Sequence, residues 1–295
     1  MRIYTIAESI NIMSKTIGPA IREKSKGPIQ KMAEEELAAG ADMLDLNLGP
    51  ARKAGDEMMR WLVETVQEVK KDVRLALDTT NAVAVEAGLK VCNERALINS
   101  ISAQPASMDD RLPLVKKYDA DFVALTMSEE GIPRDANERA VALSTIMARA
   151  DEMGIDHARY WVHPIVLPVS VDINQVKAYM AFLPMVKDIV PGATNTCGLS
   201  NVSNGAPADL RPILNRVYLM MLYKLGQESA IVDAYDTEMM AVCRGERASH
   251  AGFVARMLDG EQVDPSRLGE QEKILYKTVR VLTGDVLYSH SWLQD

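Results

Sequence analysis

The chain has 295 residues, 47% of them hydrophobic and 25% charged, which is enough apolar material for a large core. A formal net charge of −8 argues against nucleic acid as a main partner, and no apolar run reaches the roughly 18 residues that span a bilayer. No signal peptide is visible, and three widely spaced cysteines (Cys92, Cys197 and Cys243) fit a reducing cytoplasm without a disulfide framework.

Short β-branched runs alternate with longer amphipathic ones. Residues 3–6 predict a strand, and Pro28 opens a helix to residue 40 with Ile29, Met32, Ala33 and Leu37 on one face. Its Glu34-Glu35-Glu36 run is expected on the solvated face. Strands follow at 43–48, 73–79, 96–99, 122–127, 160–166, 194–200 and 230–234. Between them lie helical patterns marked by Met58 to Val69 and at 81–91, 108–118, 138–153, 173–190 and 211–225, with another from Glu238. Eight β-then-α units predict a single-domain α/β fold, a (β/α)8 TIM barrel over residues 1–260. An open doubly wound sheet is the competitor, but it rarely needs eight units. A C-terminal helical extension, residues 261–295, is expected to pack on the barrel or in a dimer contact.

In such a barrel the C-terminal strand ends build the site. Here they offer Glu8 and Asn11, then Asp45 and Asn47, Asp78, Asn99, Thr126, His163, the polar run Ser200, Asn201, Ser203 and Asn204, and finally Asp233 and Asp236. A carboxylate accepts two donors at once, and an amide both donates and accepts. Such a ring suits a flat, nitrogen-rich heterocycle better than a phosphate, which wants Gly-rich loops or basic groups. The four histidines and three cysteines show no metal-ligand spacing, so no metal is expected.

Asp45-Leu46-Asn47-Leu48-Gly49-Pro50, Leu77-Asp78-Thr79-Thr80-Asn81, Ile98-Asn99-Ser100, Leu125-Thr126-Met127 and Gly198-Leu199-Ser200-Asn201-Val202-Ser203 together resemble the pterin-binding methyltransferases. The likeness is strongest to the methyltetrahydrofolate:corrinoid protein methyltransferases and runs from about residue 2 to 240. It implies that Asp78 and Asn99 hold the pterin edge and that Asn201 approaches N5. Glu8 and Asn11 match a Glu-Arg-x-Asn pattern in which Ser9 replaces the arginine. Arg211 matches an arginine near the site. Where the family has Asp-Pro, this chain has His163-Pro164. A histidine accepts, donates or turns cationic near neutral pH. His163 is therefore expected either to fill the space with one hydrogen bond or to alter pterin affinity and proton supply, in which case His163→Asp changes the pH dependence.

The resemblance implies methyl transfer between N5 of tetrahydrofolate or 5-methyltetrahydrofolate and the cobalt of a corrinoid (cobalamin), in either direction, in one-carbon or demethylation metabolism of an anaerobe. No acidic side chain adjoins Asn201 in the sequence, so the amide, with ordered water, is expected to stabilise charge at N5. The chain lacks an Asp-x-His-x-x-Gly pattern, so the corrinoid is expected on a partner protein, with a homodimer as the assembly and the cytoplasm as location. Two alternatives stand beside this: a dihydropteroate-synthase-like enzyme, which wants a lysine near strand 7, and a non-catalytic folate-binding barrel.

Overall fold

The computed structural model describes residues 2–51 and 53–294. In chain order the elements are β1 (Tyr4–Ala7), α1 (Gly18–Arg22), α2 (Lys26–Ala38), β2 (Met43–Gly49), α3 (Gly55–Gln67), β3 (Arg74–Thr79), α4 (Ala82–Leu89), β4 (Leu97–Ser102) and α5 (Pro105–Tyr118). Then come β5 (Asp121–Leu125), α6 (Ala136–Glu152), β6 (Tyr160–His163), α7 (Ile173–Phe182), α8 (Val186–Ile189), β7 (Thr194–Asn195), α9 (Arg211–Lys224), β8 (Ser229–Val232), α10 (Thr237–Cys243), α11 (Ala248–Leu258) and α12 (Glu270–Leu282). The strands are parallel and run in the order β7-β6-β5-β4-β3-β2-β1-β8. One bridge, Gly198 to Ile231, joins the two ends and makes this a (β/α)8 barrel with extra C-terminal helices.

The boundaries differ from expectation where backbone chemistry intervenes. The expected helix over 173–190 is two helices, because Pro184 cannot donate into the ladder and a 3₁₀ turn, Leu183–Met185, takes its place. The expected seventh strand stops at Asn195, and residues Leu199–Ser203 coil into a 3₁₀ turn. Asn201 thus sits on a short helical turn and not on a strand. In the C-terminal extension, α12 packs on α9, α11 and α7. Trp292 folds back so that its indole N–H donates to Thr278 at 3.1 Å.

The barrel interior explains where the polar residues go. Ile6, Met43, Ala76, Leu97, Val123, Trp161 and Ile231, one from each of seven strands, form a buried apolar layer of their own. Side chains two apart on a strand share a face. One step further along, the same inner face therefore carries Glu8, Asp45, Asp78, Asn99, Leu125, His163 and Asp233. A dry floor thus lies beneath a polar ring at the C-terminal mouth.

Candidate functional site

Three of the candidate residues lie side by side in the ladder: Asn47 pairs with Asp78, and Asp78 with Asn99. Their side chains interlock with Asp45. The Asn99 amide donates to Asp45 Oδ1 at 3.0 Å, and the Asn47 amide donates to Asp78 Oδ2. Asn47 Oδ1 in turn accepts the Gly49 N–H at 2.9 Å. These bonds orient the row and leave groups unspent. Among the described residues, Asp78 Oδ1 and the Asn99 side-chain carbonyl meet no protein donor.

The turn after β7 supplies the opposite wall. The Asn201 side-chain amide, half-buried, makes no hydrogen bond within the described residues. A Cβ on Gly198 would lie 3.2 Å from Asn201 Nδ2, so the glycine makes room for that amide. Next to it, the Ser200 hydroxyl donates to Glu8 Oε2 at 3.3 Å, across 192 residues of sequence. Arg211, at the start of α9, holds the turn together: it donates to Ser203 Oγ at 3.2 Å and to Asn204 Oδ1 at 3.2 Å. Arg211 and Asn204 thus position the turn. Asn11 is tied locally, accepting the Met13 N–H at 2.8 Å, while its backbone bridges to Asn47. Asp236 caps α10 and pairs with Arg216, outside this network.

His163 is buried and turned toward backbone. Its Nδ1 faces the Ile165 N–H at 3.0 Å and its Nε2 faces the Gly198 N–H at 2.8 Å. A neutral imidazole has one lone pair for these two donors, whereas a carboxylate would serve both. Burial pushes the ring pKa down to about 4. The imidazole is therefore uncharged throughout the neutral range, and it links the β6 end to the turn that carries Asn201.

The ring is acidic and short of solvent. Burial, then repulsion from Asp233, pushes the Glu8 carboxyl up to about 7. Burial raises Asp78 to about 6, and burial plus the nearby Asp78 raises Asp45 well above the ordinary carboxylate range. Glu8 and Asp78 bind protons more tightly folded than unfolded, so their contribution is full below about pH 4 and lost as pH rises through 6 to 7. His163, with its lowered pKa, acts oppositely between about 6.5 and 4. Glu8→Gln is expected to flatten the pH dependence of stability between 4.5 and 7 and to stabilise the protein at pH 8 by about 3 kcal/mol. Urea unfolding at pH 5 and pH 8 checks this; an unchanged difference between the two would contradict it.

The sequence profile of the family described as "Pterin binding enzyme" matches residues 20–233. The chain belongs to that family. Among relatives of this pterin-binding enzyme, methylcorrinoid:tetrahydrofolate methyltransferase of Eubacterium limosum is 27% identical over 237 residues, 80% of this chain and 86% of that protein. Methionine synthase of Mycobacterium tuberculosis is 26% identical over 213 residues, 69% of this chain but 18% of that longer protein. Two dihydropteroate synthase structures share the fold. That from Xanthomonas albilineans with 7,8-dihydropteroate has a TM-score of 0.61 at 16% identity, covering 84% of this chain and 94% of that one. That from Thermus thermophilus has a TM-score of 0.59 at 18% identity, with the same coverage. At those identities the likeness is of fold alone. No helix among the described residues is long and apolar enough to cross a membrane.

Two residues of the pterin-binding enzyme's site region escaped the sequence reading. Glu36 is fully buried, not on the solvated face, and accepts the Ser9 N–H at 3.0 Å. The signal was periodicity: Ile29, Ala33 and Glu36 fall on the buried stripe of α2. Arg139, also fully buried, donates to the Pro164 carbonyl at 2.7 Å and the Ile165 carbonyl at 2.9 Å, fixing the loop beyond His163. It too lies on a buried stripe, with Ala142, Leu143 and Ile146.

Proposed function

We propose that this pterin-binding enzyme transfers a methyl group between N5 of a folate and the cobalt of a corrinoid carried by a partner protein. The observation that carries the reading is the unspent amide of Asn201, set across the barrel mouth from the row formed by Asn47, Asp78 and Asn99. The methyltransferase and methionine synthase relatives support it. A pterin offers adjacent N–H donors, which Asp78 accepts through Oδ1, while Asn99 fixes the ring's register.

In the forward step the cobalt(I) electron pair forms a bond to the methyl carbon. The methyl–N5 bond breaks, its electrons return to nitrogen, and N5 takes a proton. Cobalt is oxidised formally from I to III, and no other redox partner is needed. Asn201 holds the developing charge at N5. Glu8, poised near neutrality and bonded to Ser200 beside Asn201, serves as the proton reservoir. The barrel mouth aligns N5, methyl and cobalt for in-line attack. A docked corrinoid protein, and a second copy of this chain as a homodimer, complete the proposed assembly, in which the C-terminal extension packs on the barrel or at the dimer contact.

Transfer from methyltetrahydrofolate needs the acid form of Glu8, so its rate should fall as pH rises through about 7; the reverse transfer should rise over the same interval. Glu8→Gln should remove this limb and slow the forward step about tenfold or more. Incubating the protein with tetrahydrofolate and methylcobalamin, and quantifying 5-methyltetrahydrofolate by chromatography at pH 6 and pH 8, tests the reading. No enzyme-dependent product at either pH would overturn it.

A further inference from the structure

Glu36 stands outside the mechanism above, yet its carboxyl is fully buried beneath the mouth. Oε1 accepts the Ser9 N–H at 3.0 Å, and Oε2 has no hydrogen-bond partner. Ser9 lies between Glu8 and Asn11, the two site residues that follow β1. Its own carbonyl accepts the Asn11 N–H at 2.9 Å, and the Glu8 N–H is bonded to Val232 at 3.2 Å. The turn from Glu8 to Asn11 is therefore fixed at Glu8 by β8, at Ser9 by Glu36, at Ile10 by the Asn47 N–H at 3.0 Å, and at Asn11 by its own turn. Of these anchors, Glu36 is the one side chain that reaches in from another element.

We infer that Glu36 is a positioning residue for methyl transfer, clamping the Ser9 backbone so that the Glu8 carboxyl meets Ser200 and Asn11 keeps its place against β2. The inference rests on the proposed methyl transfer for its kinetic consequence, but the clamp itself is a property of the chain. The groups facing Glu36 are acidic on every side: Glu8 after β1, Asp45 on β2, and Asp233 and Tyr235 after β8. Burial and Asp233 raise its pKa, against the pull of Ser9. The bond that fixes Ser9 runs from its N–H to Oε1, an oxygen that accepts in the acid and in the carboxylate alike. What the clamp needs is an acceptor at the right reach, not a charge.

This separates two conservative variants. Glu36→Gln keeps the reach and the acceptor; Glu36→Asp keeps the carboxyl but shortens the arm by one methylene. Glu36→Gln should retain kcat within about threefold and keep the pH limb near 7 that belongs to Glu8. Glu36→Asp should lose tenfold or more in kcat, displace that limb, and leave folate affinity within about threefold. Hydrogen exchange at the Ser9 amide gives a readout independent of activity: slow in wild type and Glu36→Gln, fast in Glu36→Asp. Equal impairment of both variants, full activity with slow Ser9 exchange in Glu36→Asp, or failure of either variant to fold would overturn the inference. A wild-type protein that transfers no methyl group would sink the proposed function instead, and the exchange result would still decide the clamp.

Discussion

Replacing Asn201 by alanine is expected to lower methyl transfer about a hundredfold or more at saturating folate, while folate affinity changes less than tenfold. The size follows from removing one preorganised donor aimed at developing charge, worth roughly 3 to 4 kcal/mol in the transition state. The asymmetry follows from geometry. The Asn201 amide carries no structural hydrogen bond within the described residues, so its loss leaves the fold and the pterin row intact. A ground-state pterin ligand would behave differently, raising KM with little change in kcat. Single-turnover kinetics beside equilibrium titration distinguishes the two. Equal turnover in the wild type and Asn201→Ala would refute the assigned role.

Asp78→Ala is expected to show the opposite split, weakening folate binding roughly a hundredfold. In the proposed complex Asp78 would give the pterin a carboxylate oxygen that no protein group among the described residues occupies, and its other oxygen holds the Asn47 amide. Truncation therefore removes a charge-assisted bond and also orphans Asn47, which loosens the row. Because burial holds Asp78 near 6, the wild-type affinity should itself weaken as pH falls below about 6, where the acceptor becomes protonated. Titration calorimetry from pH 5 to pH 8 reads both effects. Retention of wild-type affinity by Asp78→Ala would remove this residue from the binding site.

The barrel was legible because its two periodicities are strong. Short β-branched runs and helices with a 3.6-residue stripe alternate eight times, and on six of the seven strands that line the apolar floor the inner face turns polar one step above it, Leu125 on β5 being the exception. The structure puts Asp45, Asp78 and Asn99 on one wall. The turn after β7 was less legible, because Asn201 reaches its position through a 3₁₀ turn that no strand pattern encodes. The contact between Glu8 and Ser200 was hidden by 192 residues of separation; only barrel closure brings β1 beside that turn. His163 was visible as a departure, but not its surroundings. Two backbone amides and deep burial keep it neutral, so the pH dependence of the reaction is assigned to Glu8. Glu36 was hidden in an acidic run. Two of those three glutamates are exposed, and the third lies on the buried stripe of α2.

The most direct test is to mix the protein with 5-methyltetrahydrofolate and free cob(I)alamin under anaerobic conditions and follow the cobalamin spectrum. The account predicts enzyme-dependent loss of the cob(I)alamin band, with methylcobalamin formed in step with tetrahydrofolate. Folate binding without any spectral change would contradict it and leave a barrel that binds folate and does no methyl chemistry.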